Sequence, residues 1–211
     1  METRWYVVED STGPDAKGNY SFDFKDVLKL CDDDKAQAPA PSQGVLASDI
    51  TSAAGSLTLA PSGVGDLFYP SSGLASIGDE VVTYTRSGDS VTLTGRGLRN
   101  SKQDEHEAGE TFQAALTYSG VGPADIIDDL LAYTAVPASY YNLAEWTAEM
   151  DTYIGRLYSA EIMKPTAVKK LLNELVREVG LIFYSDLKAK KIAVKALRQF
   201  IPTFSVDDIL S

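Results

Sequence analysis

The sequence predicts an α+β fold, mostly antiparallel β with a few helices, in which an all-β module is inserted into a discontinuous α+β domain. Three observations predict it. Short runs alternate apolar and polar residues with the period of two that marks half-buried strands. Two longer stretches, after Pro123 and after Pro165, repeat apolar residues at helical spacing. The texture of the chain also changes twice: residues 43–118 are rich in Gly, Ser and Thr, whereas residues 1–42 and 119–211 mix helix-like and strand-like patterns. The expected division is therefore 1–42 with 119–211 as the outer domain and 43–118 as the insert.

In chain order, Trp5-Tyr-Val-Val reads as a strand, Asp10 to Gly18 as a turn-rich loop, and Tyr20-Ser-Phe-Asp-Phe as a half-buried strand completing a hairpin. Asp26-Val-Leu-Lys-Leu-Cys has helical spacing and is stopped by the like charges of Asp32, Asp33 and Asp34. Lys35 to Gly44, with Pro39 and Pro41, reads as an extended connector.

The middle segment offers strands at Ser56–Leu59, Gly73–Ile77, Glu80–Thr85, Ser90–Thr94 and Thr111–Tyr118. Ser87-Gly-Asp-Ser between two alternating runs is a hairpin signal. A small antiparallel sheet or barrel is expected there.

Pro123 opens an amphipathic helix with Asp125 in its first turn and Ile126, Ile127, Leu130 and Leu131 on one stripe. Glu145–Ile154 is a weaker helix and Leu157–Ile162 a strand. Pro165 opens the strongest helix, with Val168, Leu171, Leu172, Leu175, Val176 and Val179 at helical spacing and Gly180 as its stop. A hairpin from Leu181 to Leu197 closes the pattern.

The composition narrows the function classes. A chain of 211 residues holds one large domain or two small ones, and 44% hydrophobic with 23% charged residues suits a packed protein. No apolar run approaches the roughly 20 residues of a membrane helix, so no membrane span is expected. Met1-Glu-Thr-Arg-Trp-Tyr is not a basic segment followed by an apolar stretch, as a secretory signal would be. Cys31 is the single cysteine, so no intrachain disulfide can form, which fits a reducing cytoplasm.

The net charge of −11 is unevenly spread: residues 1–163 carry −15 and residues 164–198 carry +6. A protein that grips phosphates wants a basic face, so specific nucleic-acid binding is not expected.

Catalysis has little to work with. His106 is the sole histidine, in the charged turn Asp104-Glu-His-Glu-Ala-Gly-Glu, and is read as a surface or turn-structuring residue. Two Cys and His side chains in all do not make a zinc site, and no cofactor is expected. Asp32, Asp33, Asp34, Asp128 and Asp129 are paired-acid candidates only by clustering, and read as a loop and a solvated helix face. Gly95-Arg-Gly-Leu-Arg-Asn lacks the following Lys-Ser/Thr of a phosphate cradle. Tyr133, Tyr140, Tyr141, Tyr153 and Tyr158 suit core and interface positions better than a sugar-stacking platform.

Two stretches nevertheless resemble a known group. The first is Ile77-Gly-Asp-Glu-Val-Val-Thr-Tyr-Thr, then Val91-Thr-Leu-Thr-Gly-Arg-Gly-Leu-Arg-Asn, then His106-Glu-Ala-Gly-Glu-Thr-Phe. The second runs from Ala124-Asp-Ile-Ile-Asp-Asp-Leu-Leu through Leu143-Ala-Glu-Trp, Leu157-Tyr-Ser-Ala-Glu-Ile and Val168-Lys-Lys-Leu-Leu-Asn-Glu-Leu to Ala196-Leu-Arg. In this order, and with the connector Asp26 to Pro39, they resemble the tail-hub and tail-tip (baseplate-hub-like) proteins of long-tailed bacteriophages and prophages. Where that group has Gly-Thr after its Arg-Gly segment, this chain has Asn100-Ser101.

The resemblance implies a virion structural protein without catalytic residues, made in the host cytoplasm and placed in the tail. It implies a homo-oligomeric ring or plug joining the tail tube to distal tail and fibre proteins. It also implies a structural turn motif in which Gly95, Arg96 and Gly97 make one turn and His106 and Gly109 fix the following loop. Such proteins are longer, and Val206-Asp-Asp-Ile-Leu-Ser reads as the start of a further element, so the chain is expected to be a portion of a larger protein or a short member. The alternative expectation is a receptor- or carbohydrate-binding tail module using Tyr140, Tyr141 and Trp146, and a third is a cell-wall hydrolase.

Overall fold

The structure, a computed structural model, describes residues 3–31 and 36–198. In chain order it contains β1 (Val7–Thr12), β2 (Ser21–Lys25), a 3-10 turn (Val27–Cys31), β3 (Gln37–Ala38), β4 (Val45–Leu46), β5 (Ser56–Ala60), α1 (Val64–Phe68), β6 (Ser72–Ile77), β7 (Glu80–Ser87), β8 (Ser90–Gly95) and β9 (Phe112–Ala114). There follow β10 (Leu116–Val121), α2 (Pro123–Ala132), a 3-10 turn (Ala138–Tyr140), α3 (Leu143–Tyr153), β11 (Tyr158–Ile162), β12 (Thr166–Ala167), α4 (Val168–Val179), β13 (Leu181–Asp186) and β14 (Lys191–Ala196). All strand pairings among the described residues are antiparallel. The fold is α+β and dominated by β.

The buried apolar residues form two clusters. One, the inner body, draws on residues between Leu46 and Phe112. The other, the outer body, draws on Val27 to Ala38 and Tyr118 to Ala196.

The inner body is a six-stranded sheet in the order β4-β5-β8-β7-β6-β9. A bridge between Val45 and Thr111 joins its first strand to the approach of its last. The Leu46 N–H donates to the Glu110 carbonyl at 2.9 Å, and the Phe112 N–H to the Gly44 carbonyl at 3.1 Å. The sheet thus curls into a small barrel, which removes the open edges that invite aggregation. Period-two alternation puts Leu57 and Leu59, Val82 and Tyr84, and Val91 and Leu93 inside.

The Ser87–Ser90 turn lies where Gly88 and Asp89 predict it, with Gly88 at φ 59°. Its Asp89 carboxylate also accepts the N–H groups of Gly63 (2.6 Å) and Gly65 (2.8 Å), which tethers α1. That short helix has no periodic signature and is not foreseen in the sequence.

The outer body packs α2 against α3 and α4, and α3 against β14. Pro123 starts α2, and Ile126, Ile127, Leu130 and Leu131 are its buried stripe. Asn142 caps α3 by accepting the Glu145 N–H. Gly180, left-handed at φ 78°, ends α4. That helix begins at Val168 rather than beside Pro165, because Thr166 and Ala167 pair with Ala38 and Gln37, and the Val168 N–H donates to the Ala36 carbonyl at 2.9 Å.

Two expectations need correction. The run Thr111–Tyr118 is not one strand: Phe112–Ala114 completes the barrel, whereas Leu116–Val121 pairs with β11 and packs in the outer body. Alternation alone cannot register a change of partner. Second, Tyr20–Phe24 is a strand but is not half-buried: every residue of β2 is exposed. Asp32, Asp33 and Asp34 lie outside the described residues, as does the expected helix or strand start at Val206.

Two exposed ion pairs, Arg99–Glu161 (2.6 Å) and Lys164–Asp79 (3.5 Å), run between the bodies. Among the described residues, no helix is long and apolar enough to cross a membrane.

Candidate functional site

The resemblance-based turn motif comes together around a residue it did not include, Glu80. Glu80 begins β7 on the inward-facing parity of Val82 and Tyr84, so a carboxylate enters the barrel end with its side chain only 1% exposed. A buried charge must be paired and fully hydrogen-bonded.

The Arg96 guanidinium, 6% exposed, supplies a two-pronged partner: Nε donates to Glu80 Oε1 at 2.9 Å and Nη2 to Oε2 at 2.6 Å. The backbone N–H groups of Gly97 (3.0 Å) and Asp104 (3.2 Å) and the His106 Nε2 (2.8 Å) complete the carboxylate's surroundings. Burial pushes the Glu80 carboxyl up, but these hydrogen bonds, led by Arg96 and then His106, outweigh it and hold the carboxyl at about 2.

Arg96 also donates through Nη1 to the carbonyls of Thr51 (2.8 Å), Ser52 (2.9 Å) and Ala54 (3.3 Å), and through Nη2 to that of Asp104 (2.5 Å). The Gln103 amide donates to the Ser52 carbonyl as well. Loop carbonyls with no strand partner find their donors here.

His106 is buried, contrary to the expected exposed turn. Its Nε2 faces Glu80 and its Nδ1 faces Glu110 Oε2 at 3.0 Å, while its backbone N–H and C=O pair with Ile50. Glu110 is lowered from the usual carboxylate range, first by the Glu107 N–H and also by His106, against a rise from burial. With both ring nitrogens engaged, neither is open to a substrate proton. The arrangement can lock three loops to the barrel end.

The glycines have separate reasons. Gly95 follows the register shift between Thr83 and Tyr84, and a Cβ there would lie 2.7 Å from Thr83 Oγ1. Gly97 is left-handed at φ 61°, and a Cβ would lie 3.0 Å from the Gln103 nitrogen. Gly109, at φ 89°, donates its N–H to the Leu46 carbonyl at 2.8 Å but has open space beside it. Replacing Gly97 with Val is expected to cost roughly 1–3 kcal/mol for backbone conformation alone, and Gly109→Val less, since only Gly97 adds a clash. Denaturant unfolding of both variants checks the order.

The other candidates lie in the outer body. Asp129 accepts the Tyr118 hydroxyl at 2.7 Å, and burial followed by that carboxylate raises the Tyr118 pKa. Burial, followed by a hydrogen bond to Asp128, pushes Tyr141 up to about 12. Trp146 is 3% exposed, stacked on Tyr141 at 4.9 Å and edge-on to Phe183, so it offers no open ring face to a sugar. Among the described residues, no three His, Cys, Asp or Glu side chains group to hold a metal.

Glu80 is the position at this site that the turn motif left out. Its signal was a charged residue in phase with the apolar positions 82 and 84.

No protein-family model, no curated protein and no solved structure matches this chain.

Proposed function

We propose that the protein is a non-enzymatic structural part of a bacteriophage tail, from the hub or tip that joins the tail tube to the host-contacting parts. The reading rests on the order of the sequence stretches that resemble such proteins, and the observation that carries it is the bare hairpin β1–β2. Apart from Val7, which packs against the outer core, its two strands lie in solvent on both faces, and a two-stranded hairpin is marginal until another surface covers it. Such an element belongs to a protein completed by assembly. The sole histidine has both ring nitrogens engaged by the carboxylates of Glu80 and Glu110, which supports the same reading. The partners are the tail tube, distal tail and fibre proteins, within a homo-oligomeric ring in the virion tail. The surplus of carboxylates suits a channel through which DNA slides without adhering, since like charge repels phosphate.

Mixing the chain with assembled tail tubes of its own phage and imaging them by negative stain tests the proposal. The expected result is density at one tube end. Bare tube ends at every salt concentration tried would overturn the hub assignment.

A further inference from the structure

The same hairpin carries a more specific inference. Cross-strand pairing places Val8 opposite Phe24 and Ser11 opposite Phe22 on one face. Tyr20, Phe22, Phe24 and Tyr6 continue that face as a ladder of rings with successive centroids 6.1–6.5 Å apart. Tyr6, Val8, Tyr20, Phe22 and Phe24 are 48–62% exposed. The opposite face sets Asp10 directly against Asp23, a like-charge pair that weakens a free hairpin and is relieved by nearby cations. Residues 7–25 carry four acidic and two basic side chains, a net of −2.

The second hairpin, β13–β14, presents the complementary character. Its inner face, with Leu181, Ile192 and Val194, lies in the outer core. Its outer face pairs Ile182 with Lys195, Tyr184 with Ala193 and Asp186 with Lys191. Ile182, Tyr184 and the following Leu197 are 41–62% exposed, with Lys191 and Lys195 beside them, half-exposed and paired to Glu145 (3.7 Å) and Glu149 (3.4 Å) of the same chain. Residues 181–196 carry four lysines and one aspartate, a net of +3.

Within one chain the two faces do not meet. The first hairpin is held at the turn end of the second by the Trp5 N–H donating to the Leu187 carbonyl at 3.1 Å and by Lys190 over the Trp5 ring. Both apolar faces stay open.

We propose that the aromatic face of β1–β2 docks on the outer face of β13–β14 in a second copy of this chain. Apolar surface then meets apolar surface, and the net charges of the two hairpins are opposite, which guides docking and sets orientation. The contact joins two different patches, so each added copy leaves one of each patch free, and the series closes into a ring or extends. The inference deepens the hub reading and rests on it only for its biological setting.

Sedimentation of the full chain over a range of concentrations, at low and high salt, tests it. The expected result is concentration-dependent association that high salt weakens. Phe22→Ser with Phe24→Ser, and separately Ile182→Glu with Tyr184→Glu, should each weaken association at least about tenfold without changing the melting temperature. A mixture of the two double variants should recover a one-to-one complex, because one intact junction remains.

A wild-type chain that stays monomeric throughout, leaving the hairpin to a different partner, overturns the proposal. So does association that survives the hairpin variant, or that is lost there but untouched by the Ile182 variant, which would mean that hairpins pair with each other. If the Ile182 variant melts early, Lys191→Gln with Lys195→Gln, which leaves the apolar side chains in place and sets no like charge against Glu145 and Glu149, must weaken association instead. A chain that caps tubes but never self-associates sinks this inference alone. One that self-associates through these faces but ignores tubes sinks the hub reading alone.

Discussion

Replacing Glu80 with Gln is expected to lower stability by about 3–5 kcal/mol, because it leaves the Arg96 guanidinium buried without its counter-charge. For a chain of this size that is a fall in melting temperature of roughly 6–20 °C. Arg96→Met should cost at least as much, since it leaves the buried Glu80 carboxylate with only His106 and two backbone donors and takes the donor from the carbonyls of Thr51, Ser52, Ala54 and Asp104.

The pH dependence has a definite sign. The folded carboxyl lies at about 2, below its ordinary 4.5. Its stabilisation is therefore fully present above pH 4.5 and is lost as the pH falls from there towards 2. Acid titration of unfolding should show that loss in the wild type and a shallower slope in Glu80→Gln over the same window. Equal slopes would mean that Glu80 contributes nothing to acid stability.

The second large effect concerns the two cores. Phe112 is fully buried in the inner body, edge-on to Tyr84 at 5.1 Å and tilted against Tyr69 at 5.5 Å, and its carbonyl accepts the Tyr69 and Ser42 hydroxyls. Leu172 is buried on α4 in the outer body, whereas its neighbour Leu175 is only partly buried. Phe112→Ala should cost about 3–5 kcal/mol and Leu172→Ala about 2–5 kcal/mol, with Leu175→Ala below Leu172→Ala. If the inner body, up to Ala114, is a domain inserted into the rest, calorimetry resolves two transitions, and Phe112→Ala lowers one while Leu172→Ala lowers the other. One transition moved equally by both variants would show a single cooperative unit.

Where the sequence could be read depended on how local the cause was. The stripe of α4, its Gly180 stop and the Gly88-Asp89 turn are decided by neighbours within a few residues, and they stand where the pattern puts them, apart from the delayed start of α4. The burial of His106 is decided by Glu80, 26 positions away; alternation could have flagged Glu80, but not its partners. The break at Ala115 is decided by which strand lies alongside, Ser72–Ile77 on one side and Tyr158–Ile162 on the other. The aromatic alternation of Tyr20–Phe24 marks a two-faced strand and carries no information on what covers either face. For the candidate site, motif reading named Arg96, Gly97 and His106 but not the carboxylate that unites them.

The junction between the bodies bears on how the chain finds its fold. The Gln113 side chain accepts the Ser42 N–H at 2.9 Å and donates to the Ala40 carbonyl at 3.1 Å, joining positions 71 and 73 residues apart. Before the barrel forms, bringing Val27–Ala38 onto the helices means closing a loop of that length. Once the barrel has formed, its two ends emerge side by side, and the remaining gap is that of a tight connection a few residues long. The difference in closure entropy is about 2 kcal/mol. The order of events is thereby biased: the barrel, whose strand pairings are nearer in sequence, is favoured to condense first, and it then acts as a staple that brings the separated halves of the outer core within reach of each other.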